Sequence, residues 1–124
     1  MNDEIFGKVS FDAGWNREDT ISIWGKNYSI LVTAVAYYEH ESITVAQQSA
    51  YHSFAMNKTI ISKKIENLLV EYMDEPEKHL KPRFLVIEKN GAYALMLDDD
   101  NDPDNGVAVQ LEPDERVVSQ DAYL

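Results

Sequence analysis

A chain of 124 residues with 44% hydrophobic and 10% aromatic content has enough apolar side chain for one packed core and too little length for two, so a single domain over residues 1–124 is expected. Its 22 acidic against 11 basic residues give a formal net charge of -11, a surface that repels phosphate backbones and anionic bilayers, so neither nucleic acid nor membrane is an expected partner. The lack of cysteine excludes disulfides, thiol catalysis and cysteine-bound zinc.

The first residues, Met1-Asn2-Asp3-Glu4, are acidic where a secretory leader needs a positive end and an apolar run. The longest apolar stretch, residues 30–38, is too short for a bilayer, so a cytoplasmic location is the expectation. Residues 5–11 alternate loosely and read as a first strand closed by an Asp12-Ala13-Gly14 turn. Residues 20–24 have a period of two, and Gly25-Lys26-Asn27 reads as a hairpin turn into a strand over 28–38. Both faces of that strand are apolar, which predicts a central strand covered on both sides.

From Ile43 the spacing becomes helical. Thr44 and Gln47 form a capping box, in which each side chain binds the other residue's backbone N–H. Ala46, Ala50, Ser53 and Phe54 then mark one apolar stripe, and Ile61, Ile65, Leu68, Leu69 and Tyr72 a second. One unbroken helix would bury Asn57 in that stripe, so two helices with a break near Asn57 are expected. Asp74-Glu75-Pro76-Glu77 ends the second helix, because proline and crowded acids at its C-terminus both oppose continuation, and residues 78–82 read as a polar connection.

Residues 83–88 and 92–97 flank Lys89-Asn90-Gly91, and Asn-Gly between apolar runs is a strong hairpin signal. Strands over 107–111 and 116–118 follow, and Trp24, Tyr37 and Tyr93 are placed in strands as core residues, with Trp15 at the core edge. The order strands, helices, strands predicts an α+β domain, a mainly antiparallel sheet with two central helices packed on one face.

Between the last hairpin strand and residue 107 lies Asp98-Asp99-Asp100-Asn101-Asp102-Pro103-Asp104-Asn105-Gly106. Five carboxylates cannot be buried unpaired, so the loop faces solvent, a cation or a basic partner. It is not an EF-hand. Counting from Asn101 puts Pro103 where an oxygen ligand belongs, and counting from Asp98 puts Pro103 at the glycine position and Val109 at the glutamate. An irregular divalent site through Asp98, Asp100 and Asp102 stays open as the alternative, as does a solvated turn set by Pro103 and Asn105-Gly106.

His40, His52 and His79 lack zinc-ligand spacing, and no serine has a nucleophile-elbow context, so no catalytic residue, metal ligand or cofactor is assigned and the chain is not expected to be an enzyme. Asp98, Asp99, Asp100, Asp102 and Asp104 are the candidate partner-binding residues, since dense carboxylates speed encounter with a basic protein and accept from Lys and Arg.

The run Asp102-Pro103-Asp104-Asn105-Gly106-Val107-Ala108-Val109-Gln110-Leu111, with Pro113, Val117 and the terminal Gln120-Asp121-Ala122-Tyr123-Leu124, resembles a family of small acidic bacterial domains of unknown function. Phe6-Gly7-Lys8-Val9, Trp15, Ile43-Thr44 and Gln47-Gln48 extend the likeness over nearly the whole chain. Some members of that family look like immunity proteins that neutralise toxins. The resemblance implies a cytoplasmic binding protein whose partner is a basic toxin domain, occluded by the acidic loop, and brings no catalytic residues with it. The rival expectation is a divalent-cation-binding or small enzymatic domain using the carboxylates from Asp98 to Asp104.

Overall fold

In the computed structural model, which describes residues 2–123, alternating apolar side chains build one seven-stranded sheet in which every strand lies beside its neighbour in sequence. A small hairpin, β1 (Asn2–Asp3) with β2 (Gly7–Lys8), precedes it. The sheet runs β3 (Ser10–Phe11), β4 (Trp15–Ile23), β5 (Lys26–Ala34), β6 (Leu80–Ile87), β7 (Tyr93–Asp99), β8 (Val107–Glu112) and β9 (Arg116–Ser119). All neighbours are antiparallel except β5 and β6, which are parallel from Leu31 opposite Phe84 to Ala34 opposite Ile87. The crossover between them holds α1 (Val45–Met56), α2 (Lys58–Tyr72) and the one-turn α3 (Pro76–His79), and α4 (Gln120–Tyr123) ends the fold. Among the described residues this is an α+β architecture with four helices, none long and apolar enough to cross a membrane.

The main core is one cluster. It joins Tyr51 and Phe54 of α1 and Ile61, Ile65 and Leu69 of α2 to alternate strand residues, among them Ile21, Ile23, Val32, Leu85, Ile87, Leu95, Leu97 and Val109. Across the sheet, Leu31, Phe84, Met96, Ala108 and Val118 form a continuous row of cross-strand partners on the opposite face. Tyr123 of α4 packs against the cluster of Ala94, Met96 and Ala108 on that face, while Phe84 keeps 41% of its surface exposed.

Gln47 ties this framework together from inside. It is 1% exposed, its Nε2 donates to the carbonyls of Val35 and Ile87 at 3.0 and 3.1 Å, and its Oε1 accepts from the Thr44 N–H at 2.9 Å. The Thr44 hydroxyl accepts from the Gln47 N–H in return, so the capping box that starts α1 also clamps the ends of the parallel pair. The helix break falls at Asn57, which is exposed and donates its amide to the Ser53 carbonyl.

Several expectations need correction. Residues 5–11 are not one strand: Asp3 accepts from the N–H groups of Ile5 and Phe6, and Gly7 at φ +75 turns the chain into the small hairpin. The first long hairpin turns at Trp24-Gly25, both with positive φ as a type I′ turn requires, and not at Gly25-Lys26-Asn27. β5 ends at Ala34, so Tyr37 lies beyond the ladder at 74% exposure and is no core residue; only one face of β5 is fully buried. Residues 78–82 are not a polar connection, since His79 closes α3 and β6 begins at the buried Leu80. The buried face of α1 is Gln47, Tyr51 and Phe54, one residue round from the stripe read from Ala46 and Ala50. Trp15 is buried and donates its indole N–H to the Glu41 carbonyl at 2.7 Å.

Candidate functional site

The acidic segment is part strand and part turn. Asp98 and Asp99 still belong to β7, where they face Lys81 and Leu80 across the ladder, so the loop begins two residues later than its composition suggests. Asp98 pairs with Arg83 at 3.2 Å, and the Asp99 carboxylate accepts from the N–H of Asn101 at 2.9 Å. The Asp100 N–H donates to the His79 carbonyl at 3.0 Å, and its carboxylate meets His79 Nδ1 at 2.9 Å. Asp102 and Asp104 stand at the exposed tip, and neither carboxylate has a partner among the described residues. The five carboxylates are thus divided: three at the base beside β6 and α3, two at the tip.

The loop is held at both ends. Consecutive turns close through the N–H groups of Asp102, Asn105 and Gly106, with Asp102 donating to Asp99 at 3.1 Å and Gly106 to Asp102 at 3.2 Å. Gly106 adopts φ +71, and a β-carbon there would stand 2.7 Å from the Leu97 carbonyl and 2.5 Å from the Gln120 amide. Gln120 explains that crowding, because its Nε2 donates to the Leu97 carbonyl at 2.9 Å and seals the loop exit.

Beside the base of the loop opens a cleft of about 720 Å³, within the range that small-molecule and peptide side-chain sites occupy. One wall is the β4–β5 turn with Trp24, Lys26 and Tyr28. The facing wall comes from α3 and the start of β6, with His79 and Lys81, and Asp98, Asp99 and Asp100 close the rim. Lys78 is tied to Glu75 at 2.8 Å, whereas Lys26 and Lys81 have no ion-pair partner among the described residues.

Trp24 is the unusual member. It is a bulky residue at φ +54, a left-handed conformation that costs a non-glycine residue roughly 1 kcal/mol or more. Its Nε1 is, among the described residues, the only buried side-chain nitrogen or oxygen without a hydrogen-bond partner. The sequence pattern puts Trp24 inside a strand as core, yet it is half-buried in the turn. The usable signal is the Gly25 beside it, because a two-residue turn with Gly second also sets the residue before it at positive φ. The cleft itself joins segments far apart in sequence and has no local signature.

A second polar cluster lies elsewhere. Asp19 of β4 accepts from the Tyr51 hydroxyl and from Lys58 Nζ, both at 2.7 Å, and Arg17 lies over the Tyr51 ring while donating to the Phe6 carbonyl at 2.8 Å. Burial works to raise the Asp19 carboxyl, but the bonds from Lys58, Tyr51 and the Thr20 N–H outweigh it and hold the group below its ordinary value. Burial and the bond to Asp19 push Tyr51 well above the usual phenol range. Each group is saturated by its neighbours, so the cluster fastens α1 and α2 to β4. Among the described residues no three His, Asp or Glu side chains stand close enough to hold a metal ion, so the Asp98, Asp100, Asp102 set is not assembled as a cation cage.

A family model described as a domain of unknown function (DUF6985) matches residues 5–120. No curated protein and no solved structure matches the chain.

Proposed function

The chain belongs to the DUF6985 family of domains of unknown function, and on that footing we propose that it is a non-enzymatic binding protein whose acidic end engages a basic surface of a protein partner. The concrete form of this reading is a bacterial immunity-type protein, acting in the cytoplasm, that neutralises a cognate toxin by occluding its basic cleft. Two central helices packed on one face of the sheet would stiffen the fold and leave the end bearing Asp98 to Asp104 free.

The observation that carries the reading is the pairing of position with incomplete neutralisation. Asp102 and Asp104 project without partners from a loop fixed at His79 and at Gln120, on a chain of net charge -11. Such a cluster accelerates encounter with a cationic protein and supplies acceptors once it docks. The divalent-cation alternative has less behind it, because Asp98 and Asp100 are each engaged by a separate basic residue, Arg83 and His79, and among the described residues no three His, Asp or Glu side chains stand close enough to hold a metal ion.

Co-expression with the product of the adjacent reading frame tests the proposal. A stable complex is expected whose dissociation constant rises steeply between low and high salt and whose formation fails when Asp102 and Asp104 become Asn. Salt-insensitive binding that tolerates those changes would sink the electrostatic mechanism. Calcium or magnesium binding by calorimetry, lost in an Asp98, Asp100, Asp102 to Asn variant, would favour the alternative.

A further inference from the structure

We propose that the cleft between the β4–β5 turn and the base of the acidic loop is a pocket for one arginine side chain of the protein partner; this deepens the reading above and rests on it. Two features meet there. A cleft of about 720 Å³ is open to solvent. Its aromatic wall, Trp24 and Tyr28, faces a rim of carboxylates from Asp98 and Asp99.

The lining selects the ligand. Aromatic faces and carboxylates together favour a cation, and arginine over lysine, because the planar guanidinium stacks on a ring while its N–H fork meets a carboxylate. A free metal ion would find no such use for two rings. Lys26 and Lys81, which have no ion-pair partner among the described residues, would repel a bare cation but suit a peptide, whose carbonyl oxygens they can bind. The occupant is therefore an arginine within a polypeptide rather than an isolated amine.

The test is an NMR titration of the whole ¹⁵N-labelled chain with the peptide acetyl-Gly-Arg-Gly-amide, with acetyl-Gly-Glu-Gly-amide as control. Saturable shifts are expected in the Trp24 indole N–H and in the amides of Lys81 and Asp99, with the Trp15 indole, already bonded to Glu41, unmoved. Binding should weaken at least about fivefold in an Asp98→Asn/Asp99→Asn variant, as loss of two partly exposed charge contacts implies. Trp24→Leu, which removes the stacking face, should weaken it about threefold or more. Each variant's own spectrum shows whether it folds before peptide is added. No shift at saturating peptide, equal shifts with the glutamate peptide, or shifts centred on other residues would overturn the assignment. A chain that keeps a salt-sensitive protein complex yet ignores the arginine peptide overturns the pocket alone and leaves the binding function standing.

Discussion

Replacing Gly106 by alanine tests how the acidic loop is held. The residue sits at φ +71, and alanine there loses roughly 1 to 2 kcal/mol from the left-handed backbone alone. The added methyl also meets the Leu97 carbonyl at 2.7 Å and the Gln120 amide at 2.5 Å, both inside van der Waals contact. Relieving the second contact displaces Gln120 from its bond to Leu97, worth about 1 kcal/mol, and relieving the first moves backbone, a cost of about 1 to 3 kcal/mol. The expected loss is about 3 to 6 kcal/mol, a large share of the stability of a small domain. Gly25 supplies the control, since it has nearly the same φ, +72, and nothing lies within 4 Å of where an added methyl would stand, so Gly25→Ala should lose only the backbone part, about 1 to 2 kcal/mol. Urea unfolding followed by far-ultraviolet circular dichroism gives both differences at fixed m-value. Equal losses for the two variants would refute the account, because the loop anchor would then contribute nothing beyond backbone conformation.

Other outcomes follow from the same geometry. Gln47→Ala, which breaks the links to Val35, Ile87 and Thr44, should cost about 2 to 4 kcal/mol in urea unfolding, against under about 1 kcal/mol for its neighbour Gln48→Ala, whose amide reaches only Asp3. Because Asp19 is held below its ordinary 3.8 in the folded chain, its contribution is present above that value and lost as pH falls through the lower folded one; Asp19→Asn should flatten the acid limb of a stability profile. Burial first, and the Glu112 charge second, push Tyr93 from 10.0 up to about 12. Its contribution is therefore complete below pH 10 and fades as pH rises toward 12, so Tyr93→Phe should make the alkaline loss shallower in the same assay.

Local chemistry is legible in the sequence wherever neighbours in the chain decide the structure. The Thr44–Gln47 capping box, the Asn57 break and the Asn90-Gly91 hairpin all rest on contacts within a few residues, and each is present. The first half of β4 is illegible because Arg17 and Asp19 occupy inward positions of the strand, where a hydropathy pattern expects apolar residues. They are tolerated because Phe6, Tyr51 and Lys58 satisfy them from other elements, which no window along the chain can reveal. The strand over 28–38 reads too long for the converse reason, since apolar residues continue past Ala34 after the ladder partner ends at Ile87. Of the candidate residues, the acidic cluster is visible by composition, whereas Trp24, Tyr28 and Lys81 become one site only when the β4–β5 turn, α3 and β7 meet.

The strand order has a consequence for how the chain reaches its native state. Because β3 to β5 and β6 to β9 each pair only with sequence neighbours, both halves can zip from their own turns with small loop-closure entropy. One ladder, β5 with β6, must wait for the intervening helices to form and dock. Gln47 reaches the carbonyls on both sides of that joint and sits in the first turn of the first of those helices. If that joint forms in the folding transition state, Gln47→Ala should slow refolding more than it speeds unfolding, which stopped-flow refolding and unfolding rates would show.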